Sequence, residues 1–294
     1  MKLVQKTLLW SLVTLFSLSL TGIVNAKEIT LGVNAPRSVF KVLKQWEALG
    51  KYIEAETGHK VRIIPLTPSK TIRAVESGKV DFILANPVLA VMVIEKHKFK
   101  PLLTRITNFG PKLGGVIFSL KKSGIKTATD LKGKDVMAYK FKRSAAAYVF
   151  QVKHLKNKGI YVYKDFKSFR QASKQDDIVY AVSRGFVDAG FVKMGLLESM
   201  AREGKIKMSE FQIIDQVKDD IAAVHSTKLY PQWTLSVRPG YNRRITMVVK
   251  DALLGLKPGH PAARKANIKG FVNAVSLEDL KATLKSLNLP PYGS

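Results

Sequence analysis

The 294-residue chain contains no cysteine. That excludes a disulfide, a thiolate metal site, a cysteine nucleophile and a lipid anchor attached through a cysteine. Acidic residues are scarce: 22 Asp and Glu stand against 49 Lys and Arg, a formal charge of +27. Such a field draws anions, whether phosphate-like solutes, anionic headgroups or nucleic acid, and charge alone does not choose among them. Nucleic acid is not the expected partner, because the lysines run through every segment and form no basic arm, zinc-finger spacing or aromatic RNA-binding signature. Most of them read as solvated surface. The histidines His59, His97, His154, His225 and His260 show no paired-ligand spacing, so neither a metal nor another cofactor is expected. A Gly-x-Ser-x-Gly elbow and a phosphate-binding P-loop are missing as well, and the chain is expected not to be an enzyme.

Long apolar runs are confined to the first 26 residues. Lys2 and Lys6 precede the apolar stretch Leu8 to Leu20, and Val24-Asn25-Ala26 supplies small residues at a cut, which reads as a cleaved secretory signal peptide. Removing it takes the formal charge to +25 and leaves a chain of 268 residues, enough for one large domain or two lobes. No later stretch approaches ~18 uncharged apolar residues. The expected product is a monomer secreted to the periplasm and not lipid-anchored.

The periodicity then alternates between strand and helix. Glu28–Val33 alternates as a strand, and apolar Phe40, Leu43, Trp46, Leu49 and Ile53 recur at helical spacing before Gly58. Strands are expected at 61–65, 80–84, 113–120, 136–139, 160–163 and 188–192. Helices are expected at 69–77, 89–95, 144–156, 176–184, 243–254, 261–267 and 277–287, with 221–236 extended. Alternation of this kind implies largely parallel sheets. The expected organisation is an α/β protein of two lobes, residues 27–120 with 222–294 forming lobe I and 121–221 lobe II, around an interlobe ligand cleft.

Several segments carry a family resemblance: Asp81-Phe82-Ile83-Leu84-Ala85-Asn86-Pro87, Thr129-Asp130-Leu131-Lys132-Gly133-Lys134, Val182 to Val192, Leu229-Tyr230-Pro231-Gln232-Trp233, and His260-Pro261-Ala262-Ala263-Arg264. In order and spacing they resemble the phosphate/phosphite/phosphonate-binding solute receptors of ABC importers, close to the branch used as periplasmic sensor regions of histidine kinases such as the tetrathionate sensor. The resemblance implies the two-lobed type II periplasmic binding protein fold. It implies capture of a small anion, phosphonate-like or a sulfur oxyanion, for an ABC permease. The alternative is a ligand-sensing component working with a separate membrane histidine kinase.

The anion-cradling loop of that family usually reads Ser/Thr-Ser-Gly, whereas here it is Lys142-Arg143-Ser144-Ala145-Ala146. Ser144 opens a helix after a strand and is read either as its cap or as an oxyanion ligand. Lys142 and Arg143 are read either as cations on that loop or as simple surface charge. Lys193 ends a strand where family members that hold aminoalkylphosphonates tend to place a carboxylate, and a cation there disfavours a ligand ammonium. Asn86 either caps the next helix or faces the cleft, and Arg37 is placed similarly in the first β-to-α loop. Tyr230 is expected to wall the pocket and Trp233 to belong to the core.

Overall fold

The computed structural model describes residues 27–35 and 39–293, so the expected signal peptide and Arg37 lie outside the described residues. Lobe I begins with β1 (Glu28–Asn34), α1 (Val39–Thr57), β2 (Lys60–Leu66), α2 (Pro68–Glu76), β3 (Phe82–Ala85), α3 (Pro87–His97) and β4 (Lys100–Ile106). The buried stripe of α1 is Val42, Trp46, Leu49 and Ile53, which share one face at helical spacing. Phe40 and Leu43, expected in that stripe, are exposed at the first turn. The β3 run Phe-Ile-Leu-Ala is buried throughout, as a strand covered on both faces requires.

The chain crosses to lobe II through β5 (Lys112–Leu113). Lobe II holds β6 (Gly115–Leu120), β7 (Asp135–Tyr139), α4 (Phe150–Asn157), α5 (Val162–Asp165), β8 (Ser168–Ala172), α6 (Gln175–Ser183), β9 (Ala189–Lys193), α7 (Leu196–Arg202) and β10 (Phe211–Ile213). A wide π-type turn, Ala145–Val149, leads into α4. The chain returns through β11 (Tyr230–Pro231) to β12 (Thr234–Val237), α8 (Arg243–Gly255), α9 (Pro261–Ala266), β13 (Gly270–Asn273) and α10 (Glu278–Ser286).

Two mixed sheets result. Lobe I has the order β13-β4-β12-β3-β1-β2, and lobe II has β10-β6-β9-β7-β8. Gly115–Leu120 pairs antiparallel with β9, so it belongs to the second sheet and not to the lobe I in which the sequence placed it. The reason lies in the two passages between lobes, which are stitched at residues 111–117. Tyr230 pairs with Leu113 and Pro231 with Lys112, while the Thr227 hydroxyl accepts from Gly115 N–H at 2.9 Å and the Ser226 N–H donates to the Gly115 carbonyl at 2.8 Å. The lobe therefore changes at Gly114. Residues 160–163, expected as a strand, instead enter the short helix α5, where the Asp165 carboxylate accepts the Tyr161 N–H at 2.7 Å and closes a helical turn.

One apolar cluster packs α1, α8 and α9 on one face of the lobe I sheet, and another packs α6 and α7 on one face of the lobe II sheet. A third runs continuously from α2 and α3 through Leu113, Ile214 and Tyr230 to α4. The hinge is thus buried at its centre, and the ligand-accessible space lies to one side of it.

Candidate functional site

Two joined cavities open between the lobes at the ends of β1, β3, β4, β7 and β9. They share Asn34, Leu113, Lys193 and Trp233. The inner one has a volume of about 30 Å³ and the outer about 200 Å³.

The inner cavity is built on a polar knot. Asn86 precedes Pro87, and its Oδ1 accepts from the N–H groups of Val88 and Leu89 at 3.1 and 3.3 Å, capping α3. Its Nδ2 donates to Asn34 Oδ1 at 3.1 Å and, across the lobes, to the Arg143 carbonyl at 3.3 Å. A side-chain amide has two donor hydrogens and two lone pairs, so Asn86 is fully committed and acts as wall and latch. Ser144 stands at the entry to the π-type turn, buried, with its hydroxyl making no capping bond. The first N–H groups of that turn, from Ala145 onward, have no intrahelical acceptor. Gln151 holds the turn in place: its Nε2 donates to the carbonyls of Ala146, Val192 and Val116 at 2.8, 3.0 and 3.3 Å. Gly115 admits this amide, because a Cβ there would lie 2.5 Å from Gln151 Nε2. Tyr139 also lines the inner cavity, and burial pushes its phenol up to about 12, so it stays a hydroxyl donor at neutral pH.

The outer cavity is cationic. Arg105, near the end of β4, lies with its guanidinium 3.9 Å over the Trp233 ring. Its Nε donates to Gln232 Oε1 at 3.0 Å, and its backbone N–H donates to the Trp233 carbonyl at 3.0 Å. Among the described residues no carboxylate lies within ion-pair distance of it. Desolvation presses its pKa down to about 9, still a cation at neutral pH. Lys193 at the end of β9 and Arg202 at the end of α7 line the same cavity from lobe II, and among the described residues no Asp or Glu lines either cavity.

The structure thus brings Asn86, Ser144 and Lys193 to one cleft. The Arg143 side chain is exposed, and only its carbonyl meets Asn86. Lys142 lines a separate surface hollow with Tyr148, Tyr163 and Leu287. Of the two aromatics, Trp233 is buried in the lobe I core as expected and also borders the cleft, while Tyr230 departs from expectation. Tyr230 is core, stacked on Phe150 at 4.2 Å with its hydroxyl bonded to Thr283 at 3.0 Å, whereas Trp233 lines both cavities. Sequence reasoning missed Arg105, Arg202 and Tyr139. The available signal for Arg105 was a strand over Lys100–Ile106, hidden by the proline at its second position.

Two sheet-and-helix lobes with a polar cleft between them define a type II periplasmic binding protein, a class of solute receptors. Within that class the chain belongs to the family described as ABC transporter, phosphonate, periplasmic substrate-binding protein, whose model matches residues 31–280. PhnD1 from Prochlorococcus marinus (MIT 9301), solved in complex with methylphosphonate, has the same fold at a TM-score of 0.72 and 14% identity, covering 89% of this chain and 98% of that one. The binding protein component of an ABC phosphonate transporter from Pseudomonas aeruginosa matches at 0.72 and 16% identity, over 89% and 86% of the respective chains. The tetrathionate sensor histidine kinase TtrS of Salmonella typhimurium is 29% identical over 229 residues, 76% of this chain but 38% of the kinase. The chain thus spans under half the length of that relative.

Proposed function

We propose that the protein is a periplasmic receptor that closes its lobes on a small oxyanion, phosphonate-like or a sulfur oxyanion, and delivers it to an ABC permease. The observation that carries this reading is Arg105, a partly buried guanidinium laid over the Trp233 ring, lining the interlobe cleft and, among the described residues, with no carboxylate at ion-pair distance. A partly desolvated cation without an ionic partner favours a ligand of opposite charge, which supports an anion as the solute. Lys193 supports the same reading from the other wall, where the family resemblance leads one to expect a carboxylate. Binding without turnover is what the family membership favours.

The match to a histidine kinase supports a second reading, in which the same closure reports the anion to a membrane kinase. Both readings need contacts with both lobes, because only differential affinity for the closed state drives closure.

The test is thermal unfolding of the purified protein at fixed ionic strength against phosphate, methylphosphonate, sulfate, thiosulfate and tetrathionate. One of these is expected to raise the midpoint saturably, by about 2.7 kcal/mol of added stability at a hundredfold excess over Kd. Equal shifts from all of them, or none, would remove small-anion recognition.

A further inference from the structure

We infer that the surface hollow beside α5 is a second binding site, one that takes an aromatic monoanion: a flat apolar ring bearing a single carboxylate or sulfonate. It shares no lining residue with either interlobe cavity, so it is separate from the proposed anion site of the cleft.

The hollow has a volume of about 470 Å³, the size of a small-molecule pocket. Its floor is apolar, formed by Ile160 and Val162 of lobe II and by Leu287 and Leu289 of the segment that follows α10. That segment is fixed against α4, because Lys156 Nζ donates to the Ser286 carbonyl at 2.6 Å. The walls are the rings of Tyr148, Tyr161 and Tyr163. Tyr163 is 67% exposed, yet its ring is held: it meets Phe169 edge-on at 5.6 Å and Phe141 edge-on at 6.3 Å, and its hydroxyl shares a hydrogen bond with that of Tyr148 at 2.8 Å. Behind it Phe141 stacks on Tyr148 at 4.9 Å and on Phe169 at 4.6 Å. An aromatic face fixed in advance and open to solvent receives a flat ring without first having to be ordered. A flexible aliphatic chain gains less there, since it loses its own rotamer freedom on binding.

Charge selects the rest of the ligand. Lys142, Lys156 and Lys164 line the hollow, and among the described residues no Asp or Glu does. Asp165, next to Lys164 in the chain, is turned to accept the Tyr161 N–H. A cationic rim over an apolar floor admits an anion and disfavours an ammonium. The phenol pair adds a directional donor. Two hydroxyls joined by one hydrogen bond use one of their two hydrogens, which leaves the other to donate to an oxyanion at the wall.

Titration calorimetry of the purified protein at fixed ionic strength tests the site with cinnamate, its neutral analogue cinnamyl alcohol, its cationic analogue cinnamylamine, and octanoate. Cinnamate is expected to bind at a single site about tenfold or more tightly than each of the others, the worth of one charge-assisted hydrogen bond. Tyr163→Ala is expected to weaken cinnamate about tenfold, and Lys164→Gln about threefold without altering cinnamyl alcohol. Lys164 is exposed, so Lys164→Gln keeps the fold even where Tyr163→Ala loosens the aromatic stack. Binding of cinnamyl alcohol, cinnamylamine or octanoate as tightly as cinnamate overturns the aromatic monoanion. Cinnamate affinity unchanged in either variant, or no binding of any probe, overturns the site. The stabilising effect of the cleft anion is expected to be the same in both variants, so failure here leaves the cleft reading standing.

Discussion

Beside each end of strand β12 an arginine is laid over an aromatic ring, Arg105 of β4 at one end and Arg238 at the other, and the two differ in their partners. At the far end Arg238 sits 4.8 Å from the Tyr241 ring, and its Nε donates to Asp81 Oδ1 at 2.9 Å. The other oxygen of Asp81 accepts from the Thr30 N–H and hydroxyl at 2.9 and 2.8 Å, tying β1 to the β3 edge. At the near end Arg105 has the closer ring contact and a neutral amide partner, but among the described residues no carboxylate. An arginine whose charge is answered within the fold is a clamp. One that borders a cavity without an ionic partner among the described residues is what the proposed anion site is built on.

The sharpest way to break the comparison is to neutralise the unanswered arginine. Arg105→Met is expected to lower the affinity for the stabilising anion by about tenfold to a hundredfold, the loss of charge-assisted hydrogen bonds. In the absence of anion its unfolding midpoint is expected to change little, because the partly buried cation without an ionic partner is removed together with its hydrogen bond to Gln232. A lower midpoint with unchanged anion affinity would make Arg105 a second clamp.

Asp81→Ala attacks the other end. It orphans the Thr30 N–H and unpairs Arg238, and is expected to cost about 2 kcal/mol in urea unfolding, mostly from the lost hydrogen bonds since Arg238 is itself well exposed. The anion response should survive.

Acid tests a different set of charges. The lobe II carboxylates Asp135 and Asp130 are held below the usual range, Asp135 chiefly by the Ser168 hydroxyl and Asp130 by the N–H groups of Lys126 and Thr127. A depressed folded-state pKa contributes stability that is complete above the unfolded value of about 4 and is lost as pH falls through the folded value. Urea midpoints should therefore be flat from neutrality to about pH 5 and fall below about pH 4, and Asp135→Asn should make that fall shallower.

The smallest effect serves as a control for the whole comparison. Lys98 ends α3 in the left-handed region at φ 57°. Lys98→Gly relieves that strain and is expected to add roughly 1 kcal/mol without altering the anion response.

Much of this fold is written in local patterns. The strand ending at Lys193 and the cap at Asn86 are short-range features: one follows from a buried apolar run, the other from an Asn-Pro boundary. Arg105 is different in kind. Its meaning depends on Gln232 and Trp233, 127 and 128 residues further along, and on cavity-lining segments that bring it no acidic neighbour among the described residues. Lys100–Ile106 also has an exposed start and a proline, so neither alternation nor an apolar run announced it as a central strand. Tyr230 was expected at the cleft for the same reason: which side of an extended segment faces the cleft is fixed only after the β5–β11 pairing sets the register.

Asn86 offers a natural reporter. One of its two amide protons points to its own lobe and the other to the carbonyl of Arg143 on the opposite lobe. Opening the cleft hands the second proton to water and leaves the first where it was. A single ¹⁵N-labelled side chain would then show two resonances that respond unequally to ligand, one moving with the hinge angle and one standing still as its internal reference.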